Sequence, residues 1–282
     1  MKKIKSLKKN LIFLFTLYSL SLNSQFSSAM SYNIRYANSS DGINKWENRK
    51  DALTNLLNYY NPDIIGLQEA LFSQIKFINS RLPLYNKIGI AREDGLQKGE
   101  YSPILYNVKK FKLLASKTFW LSNTPDSPTI GWDAAHKRIC TYGKFQNINT
   151  KQHLWVFNTH FDHLGEIARL NSAKLILKMI NSIVPKNDKL LLLGDLNCLP
   201  NSAPINEIKS YLEDGLLESK KKLYGPFGTF NNFNPNHPLK KNRIDYIFVK
   251  NISVINYRHI NDKMTNSNCI SDHLPVLISF KQ

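Results

Sequence analysis

The sequence contains few cysteines, and they are not spaced for a metal site. Its 282 residues include three, at Cys140, Cys198 and Cys269. An odd number allows at most one internal disulfide and leaves one thiol over, which excludes a disulfide-built scaffold. No pair has the spacing of a zinc site. We therefore interpret the three cysteines as small packing residues.

Acidic residues are also scarce. The chain has 38 lysines and arginines against 21 aspartates and glutamates, a formal net charge of +17 at pH 7. This excess favours contact with polyanions, both nucleic acids and anionic membrane surfaces. A lysine-rich and asparagine-rich genome would raise the basic content of every protein, so the charge alone selects no partner. Basic residues concentrate at residues 220–222 and at Lys240, Lys241 and Arg243, and the second group could help to hold an anionic substrate.

The apolar stretch near the N-terminus is too short to cross a bilayer comfortably. It covers residues 11–22 and follows five lysines within the first nine residues. A membrane-spanning helix needs about 20 apolar residues, whereas a basic start followed by a short apolar run is typical of a secretory signal peptide. We predict a signal peptide over about residues 1–24 and export or secretion of the remainder. An uncleaved signal anchor is the alternative.

No low-complexity tract or linker divides the remaining sequence, which predicts one domain over residues 25–282. Apolar periodicity places the elements along it. Strands are predicted over 26–34, 63–68, 153–158, 189–193, 243–249 and 274–280, helices over 46–60, 71–82 and 166–183, and short strands and turns over 85–145. In the last helix we expect Ile167, Leu170, Leu177 and Ile180 to form the buried face. Periodicity alone establishes an α/β protein.

A series of carboxylates and amides, with one imidazole, follows or lies within these apolar segments. Its members are Asn33, Glu69, Asp195, Asn197, Asp245, Asp272 and His273. Strands lift such groups to one edge of a sheet, where an active site can form. Hard oxygen ligands with a single imidazole and no thiolate favour Mg²⁺ or Mn²⁺ over Zn²⁺. The chemistry that this set predicts is hydrolysis of a phosphate ester.

Six segments of the chain resemble the ordered motifs of the endonuclease/exonuclease/phosphatase superfamily. They lie at residues 30–36, 65–69, 158–163, 194–197, 243–248 and 271–273, in the order that this family has. The resemblance implies a four-layered α/β/β/α sandwich, with two mainly antiparallel sheets packed face to face and the helices outside. It also implies a metal-dependent phosphoesterase that uses Mg²⁺, for which Mn²⁺ may substitute.

The resemblance implies metal-binding roles for three residues. Glu69 is expected to be the principal Mg²⁺ ligand, and Asp272 is expected to lie against the metal. Asn33 would position Glu69, the metal or a phosphate oxygen.

Five further residues carry expected catalytic roles by resemblance. Asp195 would orient the nucleophilic water, Asn197 would contact the phosphate, and His160 would donate to the phosphorane oxygens. Asp245 and His273 form an expected dyad, in which the carboxylate fixes the tautomer of the imidazole and raises its basicity. Whether His273 is a general base or a charged stabiliser stays open.

Weaker expectations concern the neighbourhood of these residues. Asp162 or His163 is expected to support His160 or to face solvent. In the middle segment, Arg138 and Tyr101 are candidate contacts for the substrate phosphate, although their alignment with the family is loose.

The family includes enzymes with different substrates, so several functions remain possible. A secreted nuclease that acts on nucleic acid fits the basic charge. A sphingomyelinase-like phospholipase C acting on anionic or sphingolipid membranes is the alternative, because Phe227, Phe230 and Phe233 lie close together as in an exposed aromatic hairpin. The remaining possible functions are another phosphoesterase and, as a remote alternative, a non-catalytic binding protein with this fold. No obligate protein partner is inferred.

Overall fold

Two six-stranded sheets form the centre of the structure, a computed structural model that describes residues 26–281. In spatial order, the first sheet contains β11 (Ser253–His259), β12 (Val276–Lys281), β1 (Phe26–Asn33), β2 (Ile64–Gln68), β4 (Ile104–Asn107) and β3 (Tyr85–Ile88). The second contains β5 (Phe111–Trp120), β6 (Ile139–Asn147), β7 (His153–His160), β8 (Lys189–Asp195), β10 (Asp245–Lys250) and β9 (Glu213–Asp214). Each sheet has one parallel pair, β1 with β2 and β7 with β8, and its other pairs are antiparallel.

The helices cover the outer faces of the two sheets. They are α1 (Trp46–Tyr60), α2 (Phe72–Arg81), α3 (Glu166–Ile183) and α4 (Ala203–Lys209), with a short 3-10 helix at Ser39–Asn44. One apolar core lies between the sheets, a second joins the first sheet to α1 and α2, and a third joins the second sheet to α3 and α4. Helix, sheet, sheet and helix therefore form the four predicted layers, and the predicted fold class is confirmed.

Local sequence signals explain where several elements end. The helix α1 stops because Asn61 adopts a left-handed backbone, with φ of 42°, and its N–H bonds the carbonyl of Leu57 at 2.9 Å. Pro62 then prevents a further helical turn. Both α1 and α3 have the predicted bounds. Strands β7 and β8 each run two residues beyond their predicted ends, so His160 and Asp195 end strands rather than begin loops.

The predicted buried face of α3 is partly wrong. Leu177 and Ile180 are buried as expected, but Ile167 is 60% exposed and Leu170 is only half-buried. The face that meets the sheet contains small residues instead, among them Ala168, Ser172 and Ala173. Small side chains let the helix approach the sheet closely, and a search for large apolar residues overlooks them.

A buried amide connects the two sheets near their polar edge. Asn158 on β7 donates to the carbonyls of Leu67 and Pro103 at 2.8 and 2.9 Å, and its Oδ1 accepts from Gln68 at 2.6 Å. The approach requires a glycine, because a Cβ at Gly66 would lie 2.7 Å from the same Oδ1. Since every polar atom of this amide is paired, it fixes how the strand ends of one sheet face those of the other.

Arg243 has a structural role and does not help to hold substrate, contrary to the expectation from its basic neighbours. Its guanidinium is buried and makes two parallel bonds of 2.8 and 2.6 Å to the carboxylate of Asp214 in β9. Lys240 and Lys241 are exposed. A planar guanidinium fits a carboxylate in this two-bond geometry, which explains why the pair is formed inside the protein.

The three cysteines are buried and unpaired, as the packing interpretation predicts. Between residues 26 and 281, no helix is both long and apolar enough to cross a membrane. The signal peptide predicted over residues 1–24 lies outside the described residues, so export stays a prediction.

We predict that Arg243→Ala lowers the free energy of unfolding by about 3–5 kcal/mol, because the Asp214 carboxylate would remain buried without a partner. The measurement is urea denaturation at neutral pH. Lys240→Ala is the matched control, since it removes an exposed charge and should change stability by about 0.5 kcal/mol or less. Equal stability of the two variants would contradict the structural role of Arg243.

Candidate active site

The polar residues predicted at strand ends converge at one edge of the sandwich. Across the second sheet, His160, Asp195 and Asp245 are direct partners on neighbouring strands, because β7 pairs with β8 and β8 pairs with β10 in that register. In the first sheet, Asn33 is the partner of Gln68, the residue before Glu69. The parallel pair in each sheet brings the carboxyl ends of its strands to this edge.

Asn33 joins the two sheets at the site. Its side-chain nitrogen donates to Glu69 at 3.0 Å and to Asp195 at 2.9 Å, and its oxygen accepts the N–H of Arg35 at 3.0 Å. The residue is fully buried. Both amide hydrogens are therefore used to hold two carboxylates from different sheets in a fixed relation.

Glu69 is held in an unusual backbone conformation. Its φ is 58°, in the left-handed region, which costs a non-glycine residue roughly 1–3 kcal/mol. The surrounding contacts maintain this conformation, since Oε1 accepts from Asn33 and Oε2 accepts the N–H of Tyr36 at 3.2 Å. Asn197, which follows β8, has a similar φ of 48°. The turns after β2 and β8 thus direct two polar side chains to the same edge.

Asp245 and His273 form the expected pair. His273 Nδ1 lies 2.8 Å from Asp245 Oδ2, and its Nε2 lies 3.7 Å from Asp195 Oδ2. Burial alone would lower the pKa of His273, but the carboxylates of Asp245 and Asp195 raise it well above the ordinary value. Thr229, which the motifs did not predict, accepts the N–H of Asp245 and so fixes the start of β10.

His160 faces the same carboxylate from the other side, with the opposite electrostatics. Its Nε2 lies 3.4 Å from Asp195 Oδ2 and 3.1 Å from the Asn197 amide nitrogen. Burial, followed by the positive charges of Arg138 and Arg92, lowers the pKa of His160 well below its ordinary value. The imidazole of His160 is therefore neutral at neutral pH.

These side chains line a cavity of about 350 Å³. Its charged lining consists of three arginines and four carboxylates, namely Arg35, Arg92, Arg138, Glu69, Glu100, Asp195 and Asp272. With His273 protonated, the cations and the carboxyl groups of the lining are equal in number. A divalent cation would add the positive charge that a phosphate dianion requires.

The donor set fits such a cation. Burial raises the pKa of Asp272, and the negative charge of Glu69 raises it further, so the two carboxylates are close enough to repel each other. Ligand atoms of Asp195, Asp245 and His273 also lie within 4.8 Å of one another and could hold a metal ion. In that second group, however, Asp245 has no exposed surface and already bonds His273.

The cavity lining also includes residues that the sequence did not indicate. Arg92 and Glu100 form an ion pair of 2.7 Å, and the rings of His136 and His163 stack with centroids 5.6 Å apart. The motifs cover none of Arg92, Glu100 and His136. Polar residues in a loop without periodicity look like solvent-facing residues, so no sequence signal identifies them.

Three weaker candidates lie around this cavity. Tyr101 does not line it, because its ring is buried in the core beneath α1 and α2 and its hydroxyl donates to the Leu96 carbonyl at 2.9 Å. Asp162 and His163 contact Arg138 and not His160, at 3.2 and 3.1 Å, and His163 is exposed, as the solvent-facing alternative predicts. The cavity does contain Arg138, as expected for a phosphate contact.

The aromatic segment does not form a free hairpin. Phe230 packs on His273 with ring centroids 5.0 Å apart, and Phe233 lies 5.5 Å from the Arg49 guanidinium. Phe227 is 42% exposed. Because two of the three rings pack against protein groups, the described residues give no support to a membrane-inserting loop.

Comparison with known proteins identifies related sequences and folds. The model of the Endonuclease/Exonuclease/phosphatase family matches residues 30–273. A mannosyl-6-phosphatase of Bacteroides thetaiotaomicron has a TM-score of 0.86 and 36% identity, over 91% of this chain and 100% of that chain. An uncharacterised protein of Acanthamoeba polyphaga mimivirus is 32% identical over 85% of this chain and 93% of its own. TDP2 of D. rerio, complexed with single strand DNA product, has a TM-score of 0.71 and 17% identity over 91% and 99% of the two chains, a likeness of fold alone.

We predict that Asn33→Asp lowers kcat/KM on any accepted phosphate ester by roughly 100-fold. The introduced carboxylate would lie between the carboxylates of Glu69 and Asp195 and, unlike the amide, could donate no hydrogen bond to them. Repulsion would then move Glu69 and Asp195 apart. Steady-state kinetics at saturating divalent cation measures the effect. Asn55→Asp, on the exposed face of α1, is the matched control and should retain wild-type rates. Wild-type turnover by Asn33→Asp would contradict the proposed coupling of the sheets.

Proposed function

The chain belongs to the endonuclease/exonuclease/phosphatase family and is a hydrolase of phosphate esters, and from this premise we propose that it is a divalent-cation-dependent phosphatase acting on small phosphate monoesters of sugar-like alcohols. The 36% identity to a mannosyl-6-phosphatase over the whole of that chain supports this substrate class. Nuclease action, which the basic charge favoured, is the competing possibility.

The observation that carries the proposal is the composition and size of the cavity. A volume of about 350 Å³ lies at the lower end of the range for small-molecule pockets, about 300–1,000 Å³. Only Tyr36 and Phe230 supply carbocyclic aromatic rings to its described lining, whereas proteins that bind single strands use aromatic rings to stack bases. The Glu100 carboxylate in the lining would repel the next phosphate of a polynucleotide.

The positions of the basic groups support the same conclusion. The expectation of nucleic acid rested on net charge and on two local concentrations of lysine. Lys240 and Lys241 line a separate groove beside Leu199 and Phe227, and residues 220–222 are exposed and outside the cavity lining. Neither group is positioned to hold a phosphate beside Asp195.

We propose Glu69 and Asp272 as the residues that hold the divalent cation, because both line the cavity and each is exposed to it. When bound, the cation supplies charge neutralisation and Lewis-acid activation of the phosphoryl group. Asn33 positions Glu69, and its buried side chain acts through hydrogen bonds to Glu69, Asp195 and Arg35. The family typically depends on divalent metal; the choice of Mg²⁺ rests on the hard oxygen donors.

The remaining residues orient the reactants. Asp195 presents a carboxylate oxygen to the cavity and orients the attacking water, while Asn33 keeps that oxygen in place. Asn197 and neutral His160 contact phosphoryl oxygens, because their polar atoms lie 3.1 Å apart at the C-terminal end of β8. Asp245 fixes His273 through Nδ1, which leaves Nε2 free to contact the phosphate or the water. Arg138 contributes positive charge to the cavity lining.

The test of substrate class is a release assay with purified protein and Mg²⁺. Hexose phosphates, p-nitrophenyl phosphate, DNA, RNA and sphingomyelin vesicles are compared at equal phosphate concentration. We expect phosphate release from the hexose phosphates and the aryl ester, with DNA, RNA and sphingomyelin intact. Cleavage of RNA or DNA with hexose phosphates untouched would replace this proposal with the nuclease.

Metal binding gives a second prediction. Glu69→Gln keeps the shape of the side chain and removes its charge, so affinity for Mg²⁺ should fall at least roughly tenfold. Titration calorimetry with Mg²⁺ alone measures this without any substrate. Glu218→Gln, at an exposed position, removes the same charge elsewhere and should bind Mg²⁺ as the wild type does. Full turnover by the wild type in excess chelator would contradict metal dependence.

A further inference from the structure

We infer that Arg92 and Glu100 form the subsite that binds the hydroxyl groups of the substrate alcohol and selects polyhydroxylated monoesters over esters without hydroxyls. This inference rests on the proposed phosphatase function and identifies the residues that bind the alcohol part of the substrate. Both residues line the cavity, and neither has a role in the chemistry described above.

The loop that carries the pair is built as a fixed element. Arg92 N–H bonds the Glu100 carbonyl at 2.9 Å, so the two residues face each other across a turn. Gly99 in this turn has a φ of 90°, and a Cβ there would lie 2.5 Å from the Glu93 side chain. Trp120 Nε1 donates to the Arg92 carbonyl at 2.8 Å. These contacts hold the pair before any ligand arrives.

The loop is also tied to the metal-binding edge. The N–H of Tyr101, the residue after Glu100, bonds the carbonyl of Ala70 at 2.8 Å, and Ala70 follows Glu69. The spacing between the alcohol subsite and the metal-binding carboxylate is therefore set by one short backbone contact. A rigid spacing of this kind is what aligns a bound ester for attack.

The pair has the donors and acceptors that hydroxyl groups require. Each sugar hydroxyl both donates and accepts, and a carboxylate beside a guanidinium offers both functions. The side chains of Arg92 and Glu100 are only 11% and 16% exposed. A hydrogen bond between a substrate hydroxyl and either side chain would therefore be shielded from most of the solvent. Arg92 Nε makes no hydrogen bond and lies 3.4 Å from the Glu93 carboxylate. A phosphate has acceptors only and would meet repulsion from Glu100.

A third side chain provides an independent sign that a polar ligand belongs here. Arg138 is 4% exposed, and two of its three nitrogens bond Asp162 and His163. Its Nη1 is buried without a partner, although the residue lines the cavity together with Arg92 and Glu100. Buried donors are paired in nearly all proteins, so a ligand or water must satisfy this one.

The experiment compares Glu100→Gln with Glu93→Gln. Glu93 also neighbours Arg92, at 3.4 Å, and pairs with Lys137, but it does not line the cavity, so it is a matched control for the lost charge. Kinetic constants are measured for mannose 6-phosphate, which carries hydroxyls, and for p-nitrophenyl phosphate, which carries none. Thermal unfolding of each variant shows whether it is folded.

We expect Glu100→Gln to raise KM for mannose 6-phosphate about tenfold, the low end for losing a hydrogen bond to a charged group, while kcat changes little. The ratio of kcat/KM for the sugar ester to that for the aryl ester should fall by a similar factor. Glu93→Gln should keep the wild-type ratio within about twofold. Arg92→Lys, which retains the charge, should lower the ratio in the same way and serves if Glu100→Gln does not fold.

Two outcomes would overturn the subsite. One is an unchanged ratio in both Glu100→Gln and Arg92→Lys, and the other is an equal loss on both esters with KM unaltered. Failure of the proposed function has a different signature, in which the wild type releases phosphate from neither monoester. The two failures are therefore distinguishable in one set of measurements.

Discussion

The active edge depends on one buried amide, the side chain of Asn33, which bonds carboxylates from both sheets. Its nitrogen reaches Glu69 at 3.0 Å in its own sheet and Asp195 at 2.9 Å in the other. Without a donor between them, the two carboxylates would repel each other across this edge. The backbone strain at Glu69 is maintained by the same contacts. Fold stability and site geometry thus share one interaction.

The two histidines beside Asp195 differ in their electrostatics. His160 and His273 both face Asp195, at 3.4 and 3.7 Å, yet their pKa values shift in opposite directions. His160 is buried beside arginines and is neutral, whereas the carboxylates of Asp245 and Asp195 favour the protonated form of His273. The cavity therefore offers a neutral donor or acceptor on one side and a cationic group on the other, which is an asymmetry suited to a phosphate.

The family resemblance of the motifs predicted the four-layered fold, whereas the polar edge could be predicted from the strand ends themselves. Buried strands are apolar, so the first polar residue after each one is conspicuous, and the parallel pairs bring those residues together. Distant partners were not visible in this way. Arg243 looked like part of a basic run because its partner, Asp214, lies 29 residues earlier. Arg92 and Glu100 lie in a polar loop whose charged residues resemble a solvated surface until the fold turns them inward.

The central claim is that a phosphate lies beside Asp195 while the alcohol reaches Arg92 and Glu100. A crystal structure of Asp195→Asn with Mg²⁺ and a hexose 6-phosphate tests it most directly, because this substitution slows turnover without changing the shape of the site. We expect the phosphate at Asn197 and the ring hydroxyls on the Glu100 carboxylate. A sugar ring lying instead in the groove beside Lys240, with no contact to Glu100, would contradict it.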